Sequence, residues 1–239
     1  MKVEVCGADP ASLVAAIAGG ADRIELCSAL ELGGLTPLPG LMALAALAPM
    51  PVYALVRPRS GDFVYGAADI DAMLRDIDSI GTAGLAGAVI GASRADGRLD
   101  DKLLARLVAQ AQGLGLTLHR AIDLVPDFAK ATELAVGLGF ERILTSGGAP
   151  TALEGVGNIA LAHATARGRV AIMAGSGLRP DNVGQLLDAV PVDEVHSSCA
   201  GAGVASEPRA VRLGFAAETR RVTDVAVVRA FKAAVASRI

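Results

Sequence analysis

The sequence predicts a (β/α)8 barrel, the TIM-barrel fold, in a single α/β domain that spans residues 1–239. Short runs of β-branched or apolar residues recur along the chain, and each is followed by a stretch rich in alanine and leucine. The predicted strands begin roughly 20 to 35 residues apart, which leaves room for a crossover helix before the next parallel strand. Eight such units in 239 residues agree with a fold whose typical length is about 250 residues.

Each strand is predicted from one short run of apolar residues. The eight predicted strands, in chain order, are Val3–Cys6, Arg23–Leu26, Val52–Val56, Gly87–Ile90, Leu116–His119, Arg142–Thr145, Val170–Met173 and Glu194–His196. An open, doubly wound sheet is the alternative, but that fold more often has about five or six strands and a glycine-rich fingerprint after the first. No G-x-G-x-x-G motif follows the first predicted strand, so the closed barrel is favoured.

Three signals mark the starts of helices, and one further segment predicts a closing helix. Asp9-Pro10 opens the first helix, because proline is favoured in a first helical turn. Thr151-Ala-Leu-Glu154 has the form of a capping box and predicts the start of the sixth helix. Arg179-Pro-Asp181 predicts the start of the seventh helix, and Val222–Ile239 predicts a closing helix.

Composition excludes several classes of protein. Hydrophobic residues make up 52% of the chain and charged residues 20%, which is typical of a globular protein. The net charge of −3, without a long basic run, argues against nucleic acid or an anionic membrane as a partner. The longest apolar stretch, Leu41–Val56, contains two prolines and is too short to span a bilayer. The apolar face of Leu41–Leu47 indicates either a homodimer or packing against the barrel itself.

The cysteines and the N-terminus predict a cytoplasmic location. Three cysteines, an odd number, do not make a disulfide framework, so free thiols in a reducing compartment are expected. Met1 is followed within two residues by a predicted strand, without the charged and apolar regions of a signal peptide.

Polar residues close the predicted strands, at the end of the barrel where active sites lie. Glu4 and Cys6 close the first strand, and Glu25 and Cys27 close the second. Side chains two residues apart share a strand face, so two thiols and two carboxylates are expected to converge. Such a group suits a soft metal ion or a reactive site. The structural alternative is that the cysteines are small buried hydrophobes and that arginines neutralise the carboxylates.

Two segments are candidate anion sites. Pro58 ends the third strand and leaves Arg57 and Arg59 to hold a carboxylate or phosphate, unless both form structural ion pairs. Gly175-Ser176-Gly177 precedes the seventh helix, where barrels commonly bind phosphate on backbone N–H groups. Tight turns between a strand and a helix also need glycine, so this motif has a structural interpretation too.

Two of the three histidines lie at strand ends. His119 is a candidate general base or ligand, with Asp123 as the group that fixes its tautomer. His196 has the same two interpretations, and for both the alternative is a hydrogen-bonded core residue. No lysine lies at a strand end, which argues against a Schiff-base mechanism. The zinc spacings C-x-x-C and H-E-x-x-H are absent.

Several longer motifs resemble those of the CutC family. They are Glu4-Val-Cys6, Gly20-Ala-Asp-Arg-Ile-Glu-Leu-Cys-Ser28, Leu32-Gly-Gly-Leu-Thr-Pro37, Arg57-Pro-Arg-Ser-Gly-Asp-Phe63, His119-Arg-Ala-Ile-Asp123, Leu144-Thr-Ser-Gly-Gly148 and Met173-Ala-Gly-Ser-Gly177. The resemblance extends over essentially the whole chain. The sequence departs from the family pattern at Ser60, where glycine is frequent in the family, and at Ile122, where phenylalanine is usual.

This resemblance implies a TIM barrel, a cytoplasmic location and a role in copper homeostasis. In the family, the cysteines that close strands one and two are the proposed Cu(I) ligands, and these positions correspond to Cys6 and Cys27. Cys199 matches no motif of the family, so the resemblance assigns it no role.

Two functional hypotheses follow. The first is a cytoplasmic Cu(I)-binding protein, with copper held by the two strand-end cysteines. The second is a barrel enzyme that acts on a small anionic or phosphorylated substrate at the same mouth. In that enzyme the arginine pair would clamp the anion, and Glu25 and His119 would exchange protons, with Asp123 in support.

Overall fold

In the computed structural model, which describes residues 1–238, eight parallel strands form a closed barrel in chain order. They are β1 (Lys2–Gly7), β2 (Arg23–Leu26), β3 (Val52–Leu55), β4 (Gly87–Ile90), β5 (Gly115–Leu118), β6 (Arg142–Thr145), β7 (Ala171–Ala174) and β8 (Glu194–Ser197). Every predicted strand is present, with its ends within one residue of the expected positions. The predicted α/β TIM-barrel fold is therefore confirmed.

Helices connect the strands and cover the outside of the barrel. They are α1 (Pro10–Gly19), α2 (Pro39–Ala45), α3 (Ala67–Thr82), α4 (Asp101–Gln110), α5 (Phe128–Gly137), α6 (Val156–Ala166), α7 (Val183–Ala189), α8 (Pro208–Arg212) and α9 (Val225–Ala236). In the loop after β8, two short strands, β9 (Val204–Ala205) and β10 (Thr219–Arg220), pair antiparallel. No helix among residues 1–238 has both the length and the apolar character needed to cross a membrane.

The first helix begins as predicted, with Asp9 accepting a hydrogen bond from the Ser12 backbone. The predicted start of the sixth helix is wrong. Thr151 and Glu154 do bond to each other, but within a turn, and α6 begins only at Val156.

Two further helix boundaries differ from the predictions. The segment from Arg179 forms a turn in which its backbone N–H donates to Asn182, so α7 begins at Val183. The closing helix α9 begins after its N-cap, Asp224, rather than at Val222. The predicted last residue of that helix, Ile239, lies outside the described residues.

The barrel has two apolar regions and a buried charged layer. Strand residues that face outward pack against the helices and form the main core. Inside the barrel, a smaller apolar cluster contains Cys27, Tyr53, Leu55 and Val89. On the α2 side, Leu47 is 82% exposed, and the expected homodimer stays a prediction.

Candidate active site

A cavity of about 690 Å³ opens at the C-terminal end of the barrel. Its volume lies in the range of small-molecule sites. The polar and charged residues that line it are Cys6, Glu25, Arg57, His119, Arg120, Ser176, Arg179, Asp181, His196, Ser197, Ser198, Cys199 and Arg221. We call this space the mouth cavity.

Glu25 is a buried carboxyl group on the wall of the mouth cavity. It lies on β2 directly beside Cys6 of β1 in the strand register. Its Oε2 atom is buried and has no hydrogen-bond partner among residues 1–238. Burial raises the pKa of Glu25 to about 7, aided by the negative charge of Glu4 and opposed by the positive charge of His196. A carboxyl with such a pKa exchanges protons readily near neutral pH.

His196 is held by Glu4, its neighbour in the register of β8 and β1. The His196 Nδ1 atom lies 2.8 Å from Glu4 Oε1. A carboxylate only accepts hydrogen bonds, so Nδ1 carries a proton. Burial alone would lower the pKa of His196, but the charge of Glu25 and contacts with Cys6 and Glu4 raise it well above the usual value. His196 is therefore a cation beside Glu25 at neutral pH.

Glu4, Glu25 and His196 form a compact ligand-type group. One donor atom from each lies within 4.8 Å of the others, and among residues 1–238 this is the one such trio of His, Cys, Asp or Glu. Arg23 donates a hydrogen bond to the second oxygen of Glu4. Burial would raise the pKa of Glu4, but His196 and Arg23 outweigh it and lower the pKa to about 2. Both oxygens of Glu4 are thus occupied, and Glu25 is the carboxyl with a free oxygen.

Below this group, a buried ion network fills the barrel. Arg23 also donates to Glu194 of β8, which lies 3.4 Å from the Nε atom of Arg142. Arg142 donates to Thr117 and Glu141, and its guanidinium stacks over the ring of Tyr53 at 4.5 Å. These charges lie in a water-excluded interior, where each one requires its partner. The network therefore holds Glu4, and through it His196, in place.

His119 is a neutral histidine on the opposite wall. Its Nδ1 accepts a hydrogen bond of 3.1 Å from the Ala121 backbone, so the proton of the neutral ring is on Nε2. That Nε2 atom is buried without a partner. Burial and the nearby charge of Arg57 lower the pKa of His119 to about 3. At neutral pH His119 is therefore a hydrogen-bond donor to the mouth cavity.

Gly91 makes room for the His119 ring. A Cβ atom at position 91 would lie 2.3 Å from His119 Cε1, closer than any normal contact. We expect Gly91→Ala to displace the ring and to lower the free energy of unfolding by about 1–3 kcal/mol, the usual cost of overpacking. Urea denaturation measures this loss, with Gly40→Ala as control because a Cβ there meets nothing within 4 Å. Equal stability of both variants would contradict the assigned position of the ring.

The three cysteines have different surroundings. Cys6 lines the mouth cavity and lies against His196. Cys27 is fully buried in the apolar cluster, where Gly34 of the β2–α2 loop covers it, and burial raises its pKa far above the ordinary value. Cys199, two residues after β8, also lines the cavity, and burial raises its pKa to about 11. The structure therefore brings Cys6 and Cys199 to the cavity and encloses Cys27.

The two candidate arginines are placed apart. Arg57 is buried on the cavity wall and donates to the carbonyl oxygens of Leu32, Gly34 and Gly61. Arg59 is not among the cavity residues; it is paired with Asp62 and Asp69 at the surface. The two therefore do not form one clamp. Three other arginines, Arg120, Arg179 and Arg221, line the rim of the cavity, and the sequence analysis named none of them as an anion-binding residue.

Asp123 shapes a neighbouring loop instead of orienting His119. Its carboxylate accepts hydrogen bonds from Thr145, from Ser146 and from the backbone of Gly148. It also pairs with Arg120, whose guanidinium donates to Ser146. Asp123 thus acts as a structural anchor that positions Arg120 at the rim.

The residues of the Gly175-Ser176-Gly177 turn lie in two places, one inside the barrel and two on the mouth cavity. Gly175 packs inside the barrel, where a Cβ atom would lie 2.6 Å from Leu144. Ser176 and Gly177 line the cavity, both with positive φ angles. The Ser176 hydroxyl donates to the carbonyl of Pro150, which fixes the turn.

Together these features define a class of protein: a (β/α)8 barrel with a small-molecule cavity at the C-terminal end of its strands. A family model described as the CutC family matches residues 1–201. A CutC family protein from Sinorhizobium medicae is 60% identical over 231 residues, covering 97% of this chain and 94% of that protein. The chain belongs to the CutC family, and the resemblance drawn from its motifs is confirmed.

Solved structures agree with the fold. CutC from Streptococcus agalactiae, provisionally described as a copper homeostasis protein, superposes with a TM-score of 0.79 at 28% identity. The match covers 83% of this chain and 99% of that one. Phosphoribosyl anthranilate isomerase from Thermotoga maritima superposes with a TM-score of 0.58 at 15% identity, with 99% of each chain covered. At that identity the second likeness shows the barrel fold alone.

Proposed function

We propose that the mouth cavity is the active site of an enzyme that transfers a proton on a small anionic substrate. The observation that carries this proposal is the free Oε2 atom of Glu25, buried on the wall of a cavity of small-molecule size. An unpartnered buried carboxyl oxygen costs free energy, so a bound molecule that completes its hydrogen bonding is the natural explanation.

Each residue has a role in this proposal. Glu25 takes and returns the proton, since its pKa of about 7 keeps both protonation states populated near neutral pH. The cation of His196 lies beside Glu25 and stabilises its ionised form. His119 donates from Nε2 on the opposite wall. The anionic part of the substrate is held by the rim arginines rather than by the predicted Arg57–Arg59 pair.

The test begins with ligand binding. Small phosphate esters and dicarboxylates are screened for thermal stabilisation of the wild-type protein. A ligand at about 100 times its dissociation constant adds about 2.7 kcal/mol of stability, a shift of several degrees for a chain of this length. We expect stabilisation to be lost in Arg179→Met/Arg221→Met and retained in Arg59→Met, because Arg59 lies outside the cavity. Equal loss in both would contradict the rim assignment.

The second step is turnover of the compound that binds. Glu25→Gln keeps the shape and the hydrogen-bonding capacity of the side chain but removes the exchangeable proton. We expect binding to be retained and turnover to fall by about 10²–10⁴-fold. Turnover is followed by NMR, with Glu154→Gln as a matched control on an exposed turn. Full turnover by Glu25→Gln would contradict the role of Glu25.

Copper binding is the second candidate function. Two observations favour Cu(I) held by Cys6 and Cys27: Cys6 lies at the cavity wall against His196, and the Streptococcus agalactiae relative is provisionally described as a copper homeostasis protein. It ranks second because Cys27 is enclosed by apolar side chains, where losing its proton to a metal is costly.

An anaerobic Cu(I) titration against a chromophoric competitor tests this candidate. If Cu(I) is the cargo, we expect tight binding by the wild type that disappears in Cys6→Ala/Cys27→Ala and persists in Cys199→Ala. Binding that the double substitution leaves unchanged would contradict a site at the two strand ends. Loss in Cys199→Ala but not in Cys27→Ala would move the site to the two thiols that line the cavity.

A further inference from the structure

Three residues that line the mouth cavity each have a buried polar atom without a hydrogen-bond partner among residues 1–238. The atoms are Oε2 of Glu25, Nε of Arg57 and Nε2 of His119, and they come from the ends of β2, β3 and β5. Buried polar groups in proteins are nearly always paired. Three unpaired groups around one cavity therefore describe the polar pattern of the molecule that fills it.

Two of these atoms are hydrogen-bond donors. His119 offers Nε2–H because its Nδ1 already accepts from the Ala121 backbone. Arg57 offers Nε–H because its two terminal nitrogens are occupied by backbone carbonyls. Both groups pack on the ring of Phe63: the His119 ring centroid lies 4.8 Å from it, and the Arg57 guanidinium carbon 5.2 Å. Both donor groups therefore pack on the same aromatic ring.

The third atom is of the opposite kind. Glu25 is an acceptor when ionised, and its carboxyl lies beside His196 and Glu4. The cavity therefore places a pair of fixed donors and a proton-accepting carboxylate around the same space. A neutral imidazole facing a carbonyl oxygen, with a glutamate base near the adjacent carbon, is an arrangement known to promote enolisation.

We propose that the substrate is a carbonyl compound with a hydrogen on the carbon next to the carbonyl, and that Arg57 and His119 bind its carbonyl oxygen. This inference rests on the proposed function and assigns its substrate class. Three arginines line the rim, two of them paired with Asp123 and Asp181, and we also assign the substrate an anionic group.

The step is a proton transfer. The C–H bond next to the carbonyl breaks, and its proton moves to Oε2 of Glu25. The electron pair of that bond becomes the C=C bond of an enolate, while the π pair of the carbonyl moves onto its oxygen. The N–H groups of His119 and Arg57 stabilise the charge on that oxygen. Returning the proton from Glu25 to the same carbon restores the carbonyl compound and completes the cycle without any co-reactant.

A matched pair of probes tests the binding claim. Dihydroxyacetone phosphate and glycerol 3-phosphate have the same phosphate group and nearly the same size, but only the first has a carbonyl. We expect the wild type to bind the carbonyl compound about tenfold more tightly by calorimetry. His119→Ala is expected to abolish this preference, and His119→Gln to restore part of it, because the amide keeps an N–H donor.

The outcomes separate this inference from the proposed function. Equal binding of the two probes by the wild type, lost in Arg179→Met/Arg221→Met, would overturn the carbonyl assignment and leave the anion site standing. Absence of binding of either probe at millimolar concentration would overturn both. A preference that His119→Ala retains would overturn the role of His119.

Hydrogen exchange tests the proton transfer itself. In D2O, the wild type is expected to replace the carbon-bound hydrogens of dihydroxyacetone phosphate with deuterium, as seen by NMR. Glu25→Gln is expected to slow this exchange by about 10²-fold or more while binding persists. Carbonyl-selective binding with no enzymatic exchange would overturn the proton-transfer step.

Discussion

Replacing Arg23 with methionine is expected to lower the free energy of unfolding by about 3–5 kcal/mol. Arg23 is buried inside the barrel and pairs with both Glu4 and Glu194, which are also buried. Methionine fills similar space but leaves two carboxylates without their shared cation. Removing one partner of a buried ion network is costly because the remaining charges stay desolvated.

Urea denaturation measures this loss, and Arg75→Met provides the matched control. Arg75 pairs with Asp71 on the exposed surface of α3, so its replacement is expected to change stability little. The near-equal stability of Arg23→Met and Arg75→Met would contradict the assigned network. The Arg23 variant is also expected to disturb His196, since Glu4 loses the cation that holds its second oxygen.

His119→Gln is expected to make folding less sensitive to acid. The pKa of His119 is about 3 in the folded protein, against an ordinary value of 6.5. Below pH 6.5 the unfolded chain therefore takes up a proton that the folded chain does not. Stability is lost as the pH falls from about 6.5 to about 3, by about 2 kcal/mol at pH 5 and about 5 kcal/mol over the full range.

The measurement compares unfolding free energies at about pH 7 and pH 5. We expect the wild type to lose about 2 kcal/mol more than His119→Gln over this interval. Glu25 acts with the opposite sign, because a raised pKa means that the folded chain binds its proton more tightly; it is present in both proteins and cancels in the difference. His163→Gln, on α6, is the control histidine. The same acid dependence in His119→Gln and the wild type would show that His119 is not buried in its neutral form.

The strands were predictable because each one is a short apolar run with a fixed period. The starts of the helices after β6 and β7 were less predictable from the sequence, because the chain makes extra turns there before each helix begins. Thr151 and Glu154 satisfy the pattern of a capping box, yet they cap only a turn. A local pattern of side chains specifies a local hydrogen bond, whereas the start of the helix also depends on how the preceding loop crosses the barrel.

For the site, residues on the strands were predicted better than those beyond them. Glu25 and Cys6 reach the cavity because strand alternation directs them inward. Arg59 does not, because β3 ends at Leu55 and alternation stops applying there. Cys27 belongs to the barrel interior, but the loop that covers it is a tertiary feature with no signal in the spacing of the cysteines.

Cys199, Arg179 and Arg221 lie in loops and Arg120 begins a short 3-10 helix, so strand periodicity indicates no direction for them. Arg120 reaches the rim because it pairs with Asp123. Asp123 in turn accepts a hydrogen bond from Thr145, the last residue of β6, which lies 22 residues further along the chain. The sequence indicated His196 as a site residue because it lies at a strand end. The charge of His196 depends on Glu4, and Glu4 becomes its neighbour only when β8 pairs with β1 and closes the barrel. Barrel closure is thus the step that creates this part of the site.

The proposed function requires Glu25 to exchange a proton near neutral pH inside the mouth cavity. The most direct measurement is a carbon-13 NMR titration of the glutamate carboxyl groups, with Glu25→Gln used to assign the Glu25 signal. We expect a midpoint near pH 7. A midpoint near the ordinary value of 4.5 would show that Glu25 is a permanently ionised structural group, and it would contradict the proposed function.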